Sequence, residues 1–488
     1  MNRFEGTFRR DRDRGVILFV TLVILLMTGL LAAGLNFYTR SQLAASRADR
    51  NAAQATEAAN AALIQAAALL LDGERADEDL TDNPELFKDV LVADGNIQWY
   101  FTVLRDRVED DDAPAYGITD ESAKLNLIVA TAQQLMMLPG MTPEIADAII
   151  DWRDRDDTPG PQGAEGKYYE QLAHPYSPKN GPFESVDELL LVRGVTELLL
   201  YGEDLNRNGL LDANENDGDK SLPPDNADGR LDSGWYRYLT VYSIDQGRAP
   251  DGSPKLNING NADQVYDLMV KAGFSQELSQ FVREARSSGV RFSHPAELLG
   301  FEREVSVSSG RGGRSSRGGR VPSGASAGDS GQTKLLVSPL TPEELPKVLE
   351  ELSTSRRGLS LGKVNPSEAP KPVLMAIGFT DAEADDAISK RAGLSPEQLH
   401  SYAWLISENV LSAERLWALA PRLIGRGSTF RIDAVGYSPQ LGLFQRIETV
   451  LDVSSGQPRT LYSRDLTGLG PAYVLGPEND RITISGGR

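Results

Sequence analysis

VILFVTLVILLMTGLLAAGL, residues 16–35, runs without a break into NFYTRSQLAASRADRNAAQATEAANAALIQAAALLLD, residues 36–72. The first segment carries no charge, and at 1.5 Å per residue it is long enough for a bilayer core of about 30 Å. The continuation is rich in alanine and lacks glycine and proline. It places Leu43, Ala44, Ala52, Ala55, Ala59, Leu63, Ala66 and Leu70 at helical spacing. Val16–Leu71 therefore reads as one helix of about 84 Å, half in lipid and half amphipathic. Ahead of it, Arg3, Arg9, Arg10, Arg12 and Arg14 outnumber Glu5, Asp11 and Asp13, which sets the N-terminus in the cytoplasm by the positive-inside rule. A cleaved secretory signal would show a shorter apolar stretch and a small-residue cleavage site before unrelated sequence. The minimum reading is a signal-anchor with a helical stalk.

The remainder of the 488 residues suggests two to four domains. A net charge of −20 argues against non-specific binding to a phosphate backbone. The chain has no cysteine, which removes disulfides, thiolate zinc sites and a Cys nucleophile. Its histidines, His174, His294 and His400, are widely separated and read as surface or packing residues. There is neither a G-x-S-x-G motif nor a nucleophile–base set, so an exported hydrolase is disfavoured.

Asn96–Asp110 alternates and is rich in aromatic and β-branched residues, as a strand should be. Ala115–Leu127, Trp235–Ile244, Ser428–Ser438 and Leu443–Val453 read the same way. These strands are far apart, with helical stretches between them, so the fold class is α+β. The helical stretches repeat. Segments beginning at Lys124, Lys255 and Gly362 each run Lys-apolar-Asn, helix, Gly-apolar-Ser/Thr, helix, and a degenerate copy surrounds Gly194. Thr142, Ser275 or Thr380 caps each second helix, and Thr380 with Glu383 makes a capping box. The unit is helix-hairpin-helix-like, and so raises the alternative of a membrane-tethered DNA receptor in a competence or pilus-like system. Acids follow every hairpin (Glu144, Glu197, Glu277, Glu383) and would repel phosphate, so no nucleic acid is expected. Residues 306–332 are rich in Gly, Ser and Arg and read as a flexible linker. After it, Thr341 and Glu344 form a further expected capping box.

DLNRNGLLDANE, Asp204–Glu215, matches a twelve-residue calcium loop. Asp204, Asn206 and Asn208 supply the first oxygens, Gly209 the sharp turn, and Leu210 a carbonyl. Asp212 follows, directly or through water, and Glu215 ends the loop as a bidentate ligand. Leu211 is the expected apolar anchor. NDGDKSLPPD follows at once, so a static Ca²⁺ loop is expected rather than a helix-swinging sensor. A second, imperfect loop contains Asp225, Asp228 and Asp232, with Gly229 at the turn, Pro224 at the first position and Trp235 at the last; Asp217 and Asp219 lie close enough to complete it. The turn DWRDRDD, Asp151–Asp157, reads equally as solvated or metal-binding.

Gly15, between a basic leader and an apolar helix, resembles a type IV prepilin cleavage site, which implies a cut before Val16. Most such chains carry a glutamate as fifth mature residue; here it is Val20. That departure resembles the K component of type II secretion (general secretion pathway protein K), as do ESAKLNLI, DWRDRDD, GAEGKYY, PYSPKNGPFESVDELL and KVNPSEAP. The resemblance implies a non-enzymatic minor pseudopilin whose long membrane-spanning helix packs on a pilin-type antiparallel sheet, with an inserted helical domain that holds calcium. It further implies I- and J-type minor pseudopilins, the major pseudopilin and a prepilin peptidase as partners, and a single-pass inner-membrane location. The expected organisation is leader 1–15, helix 16–72, first sheet strands 96–127 and inserted helical domain with the calcium loop 128–234. A sheet strand plus second hairpin unit follows at 235–305, then linker 306–333, third hairpin region 334–427 and C-terminal β segment 428–488.

Overall fold

The computed structural model describes residues 7–72, 79–105, 115–218, 220–249, 252–307, 332–355, 358–473 and 475. Helix α1 spans Thr7–Leu71 and continues through Gly15, where nothing lies near enough to interrupt it. Its apolar stretch is bare, with none of the most hydrophobic window buried. Polar groups there are satisfied within the helix: Thr21 and Thr28 hydroxyls donate to the carbonyls of Ile17 (2.9 Å) and Ile24 (2.8 Å). A lipid environment requires such internal pairing. Further along, Ala55, Ala58, Ala59, Ala62 and Ala66 are buried.

That alanine face lies on a seven-stranded antiparallel sheet. Its strands are β1 Val90–Ala93, β2 Trp99–Arg105, β3 Ala115–Tyr116, β4 Thr119–Asp120, β5 Thr429–Ser438, β6 Leu443–Asp452 and β7 Arg459–Asp465. The order is β1-β2-β5-β6-β7, with β3 on β2 and β4 on β5. Helix and sheet meet backbone to backbone at Gly436. A Cβ there would fall 2.2 Å from the Ala59 nitrogen and 2.3 Å from the Ala55 oxygen. Alanine on the helix and glycine on the strand therefore set how closely the two layers approach. Phe87, Phe101, Val103, Phe430, Ile432 and Tyr437 fill the core around this contact.

The described residues among 121–428, between β4 and β5, form the inserted helical body with its own core. The Lys-apolar-Asn triplets explain the repeat. In each, the asparagine Oδ1 accepts from the backbone N–H two residues on: Asn126 from Ile128 (2.9 Å), Asn257 from Asn259 (2.9 Å) and Asn365 from Ser367 (3.0 Å). Each triplet also pairs in parallel with a returning segment. Leu125–Asn126 pairs with Leu239–Thr240, Leu256–Asn257 with Leu352–Ser353, and Val364 with Leu423. Thr142, Thr196, Ser275 and Thr380 cap the second helices, and Glu383 completes the box at Thr380. Gly140, Gly194, Gly273 and Gly378 all have positive φ.

Some expected elements are corrected. Trp235–Ile244 is no sheet strand: Trp235–Arg237 is a 3₁₀ turn, followed by the short pairings of Leu239–Thr240 and Ile244–Asp245. Trp235 donates its indole N–H to the Pro139 carbonyl (2.7 Å), so packing overrides strand propensity there. Ala115–Leu127 breaks into β3, β4, the 3₁₀ turn Glu121–Ala123 and Leu125–Asn126. A Cβ at Gly117 would meet the Thr81 oxygen at 2.4 Å, which marks where the chain crosses itself. Asn96–Asp110 shortens to β2, with residues 106–110 outside the described residues. The helix after the linker starts at Leu345, capped by Glu344 with no side-chain bond, so the box at Thr341 does not form. Most of the Gly/Ser/Arg stretch lies outside the described residues. Its flanks Glu302–Val307 and Gln332–Val337 pair antiparallel, with Val307 opposite Gln332.

Sheet and inserted body meet through buried ion pairs. Arg431 of β5 contacts Glu121 at 2.7 Å and Glu448 of β6 at 2.8 Å. Burial alone would raise Glu121, but Arg431 and Lys124 hold its carboxyl below the usual range. Arg105 of β2 reaches Glu368 at 2.8 Å.

Candidate metal loops

The helix Glu197–Tyr201 ends at Gly202 and delivers the chain into Asp204–Glu215. Asp204 accepts from the N–H groups of Asn208 and Gly209, both at 2.9 Å. Asn206 Oδ1 accepts from Asn208 N (3.0 Å), and Asn208 Oδ1 from Leu210 N (2.7 Å). Arg207 and Gly209 take positive φ, which curls the loop inward. Asp212 Oδ2 sits at the centre, receiving the amides of Asn206 (2.6 Å) and Asn208 (3.1 Å). Glu215, 1% exposed, closes the loop by accepting from Leu205 N (3.2 Å) and Asp212 N (3.0 Å). Leu210 is buried and Leu211 only half-buried, so the anchor is Leu210 rather than Leu211.

Electrostatics favour a cation here. Burial, together with the charges of Asp204 and Asp212, pushes Glu215 up to about 8, against the opposing bonds from Asp212 and Leu205. Burial likewise raises Asp212. A divalent ion would relieve both effects. A half-turn of each asparagine amide would exchange nitrogen for oxygen facing Asp212. With the amides so turned, the donor set would be all oxygen, of the hard kind that suits calcium.

The second loop repeats the geometry with Gly229 at the turn. Asn226 Oδ1 accepts from Asp228 N (2.8 Å), Asp228 Oδ1 from Arg230 N (2.8 Å), and Asn226 Nδ2 donates to Asp232 (3.1 Å). These bonds match those of Asn206, Asn208 and Asp212 in order. Trp235 at the last position is packed in the core and cannot ligate. Glu203 takes that place, accepting from Asn226 N and Asp232 N, both at 3.2 Å. Sequence spacing missed Glu203 because it lies before the first loop, not at the end of the second. Pro224 offers no side-chain ligand, and Asp225 instead ties Asp217 N (3.0 Å) and Gly218 N (2.8 Å). Asp219 lies outside the described residues.

The first loop is held to the sheet. Arg446 of β6, fully buried, pairs with Asp433 of β5 at 2.5 Å and donates to the carbonyls of Asn206 (2.8 Å) and Arg207 (2.6 Å). Asn208 donates to the Ala472 carbonyl (2.8 Å). The first loop thus clamps the inserted body onto the sheet.

A helix long and apolar enough to cross a membrane, whose other half lies on an antiparallel sheet that receives a helical insertion, defines an α+β protein. Residues 51–201 match the family model described as type II secretion system (T2SS), protein K. A chain in the crystal structure of the GspK-GspI-GspJ complex from the enterotoxigenic Escherichia coli type 2 secretion system is similar, at 11% identity and a TM-score of 0.35. The similarity covers 88% of this chain and 98% of that one. No curated protein matches.

Proposed function

We propose that this chain is a minor pseudopilin at the tip of the type II secretion pseudopilus, where it primes assembly and takes part in protein export across the outer membrane. The observation that carries the reading is the division of α1: Val16–Leu35 is bare while Ala55–Leu69 packs on the sheet, within a chain that matches protein K. A prepilin peptidase would cut after Gly15 and leave Val16 as the first mature residue. The helix would then stand in the inner membrane with the leader side cytoplasmic and the sheet and inserted body periplasmic. Val20 in place of a glutamate suits a subunit with none above it, because a buried carboxylate would otherwise need a partner in the apolar layer. I- and J-type minor pseudopilins and the major pseudopilin are the proposed partners. The role is assembly rather than catalysis, and the loop Asp204–Glu215 holds Ca²⁺.

Co-expression tests the position. The processed chain should co-purify with two other minor pseudopilins and should not form fibres alone. Homopolymeric fibres of this chain, expressed with the peptidase only, would contradict a capping role.

A further inference from the structure

At the end of the helix Pro143–Arg153 the chain turns back through Gly160 and Gly163 to Glu165. Oxygens of Asp151, Asp154 and Glu165 all lie within 4.8 Å of one another. Asp151 is 3% exposed and Glu165 4% exposed, while Asp154 is half-buried. Gly163 presses on Asp151 so closely that a Cβ would fall 1.8 Å from its Oδ2.

The three carboxylates are bonded unequally. Asp151 accepts from Gly160 N at 3.1 Å, and Asp154 accepts from Asp156 N at 3.2 Å. Glu165 accepts nothing: both of its buried oxygens lack a hydrogen-bond partner, and although it occupies the N-cap of Gly166–Tyr169 it makes no capping bond. The nearby guanidinium groups are engaged elsewhere, Arg153 on the carbonyls of Leu127 and Ala130, Arg193 on Gly163 O at 3.0 Å. Leaving a buried carboxylate without a partner costs several kcal/mol, so the arrangement lacks a positive charge. In keeping with this, burial and then the charges of Asp151, Asp154, Asp157 and Asp156 push Glu165 up to about 7.

We infer that Asp151, Asp154 and Glu165 bind a hard divalent cation, of which calcium is the probe of choice, at a site separate from the two loops near Glu203 and Glu215. Three carboxylates supply the protein oxygens, and water entering beside Asp154 completes the six to eight that calcium takes. The ion would fasten the turn Asp154–Gly163 onto the end of the helix. This assignment stands independently of the secretion role.

The test uses the full chain in detergent, stripped with a chelator and titrated with CaCl₂ by calorimetry, with bound calcium counted after gel filtration. Glu165→Gln should lower bound calcium by about one ion per chain and leave the far-UV spectrum in chelator unchanged. In a Glu215→Gln background, adding Glu165→Gln should remove about one further ion. Asp154→Asn, at a half-buried position that tolerates the change, should weaken the same site by roughly tenfold or more. Unchanged stoichiometry and affinity in Asp154→Asn overturn the inference, whether or not Glu165→Gln folds; so does a Glu165→Gln chain that binds as the wild type does.

Discussion

The two ends of α1 differ in composition, residues 16–35 rich in leucine and residues 55–69 rich in alanine, and they meet different surroundings. One face of Ala55–Leu69 is buried against the sheet, while none of the apolar window in Val16–Leu35 is buried. The partner of the outer segment is encoded in the same polypeptide, down to the missing side chain at Gly436. The partner of the apolar segment must come from outside this chain; under the proposed function it is lipid first and neighbouring helices afterwards. Small residues therefore do different things at the two ends. At Ala59 they permit a backbone contact already made; at Gly29 and Gly34, where nothing lies within 4 Å, they leave the helix surface open to a contact.

The contrast is most sharply broken at Gly436. Gly436→Val drives a side chain into the backbone of Ala55 and Ala59 and should destabilise the sheet domain by about 3 kcal/mol or more, read from urea unfolding in detergent. Next is the loop that clamps the inserted body to the sheet. Calcium at a hundredfold excess over its dissociation constant should stabilise the wild type by about 2.7 kcal/mol, and Glu215→Ala should abolish most of that loop's share while the sheet stays folded. No change in melting on adding calcium, with no metal in the purified protein, would sink the loop assignment.

A smaller effect is the dependence on pH without metal. The folded pKa of Glu215 is raised to about 8, so between its ordinary unfolded value and 8 the native state binds the extra proton. Its contribution is therefore fully present below about pH 4, declines as pH rises towards 8, and levels off above that. Subtracting the stability of Glu215→Gln from that of the wild type in chelator should reveal this slope, and saturating calcium should remove it. The smallest effect is at the bare end of the helix. Leu25→Ala should leave urea unfolding of the sheet domain within about 0.5 kcal/mol of wild type, because no core contact is lost.

Features carried by local spacing were legible in the sequence. The long helix, the strands β5 and β6 and the hairpin caps all follow from residues close together in the chain. Features carried by contacts across the chain were not. Trp235 and Tyr236 have strand-like chemistry, but one fills the inserted core and the other donates to Glu448 at 2.8 Å. Glu203 closes a loop that lies more than twenty residues beyond it, so a search for a glutamate at the loop's own end could not find it. The flanks of the Gly/Ser/Arg stretch gave no alternation strong enough to announce the pairing of Glu302–Val307 with Gln332–Val337.

The proposed function requires the apolar helix to be released from its leader before it meets its partners, so the identity of the mature N-terminus is the most direct test. Intact-mass and N-terminal peptide analysis of the membrane fraction, with a prepilin peptidase present, should find Val16 as the first residue. Gly15→Leu should accumulate the uncleaved precursor. A wild-type chain that keeps Met1, or one that has lost everything through Leu35, would contradict the pseudopilin assignment.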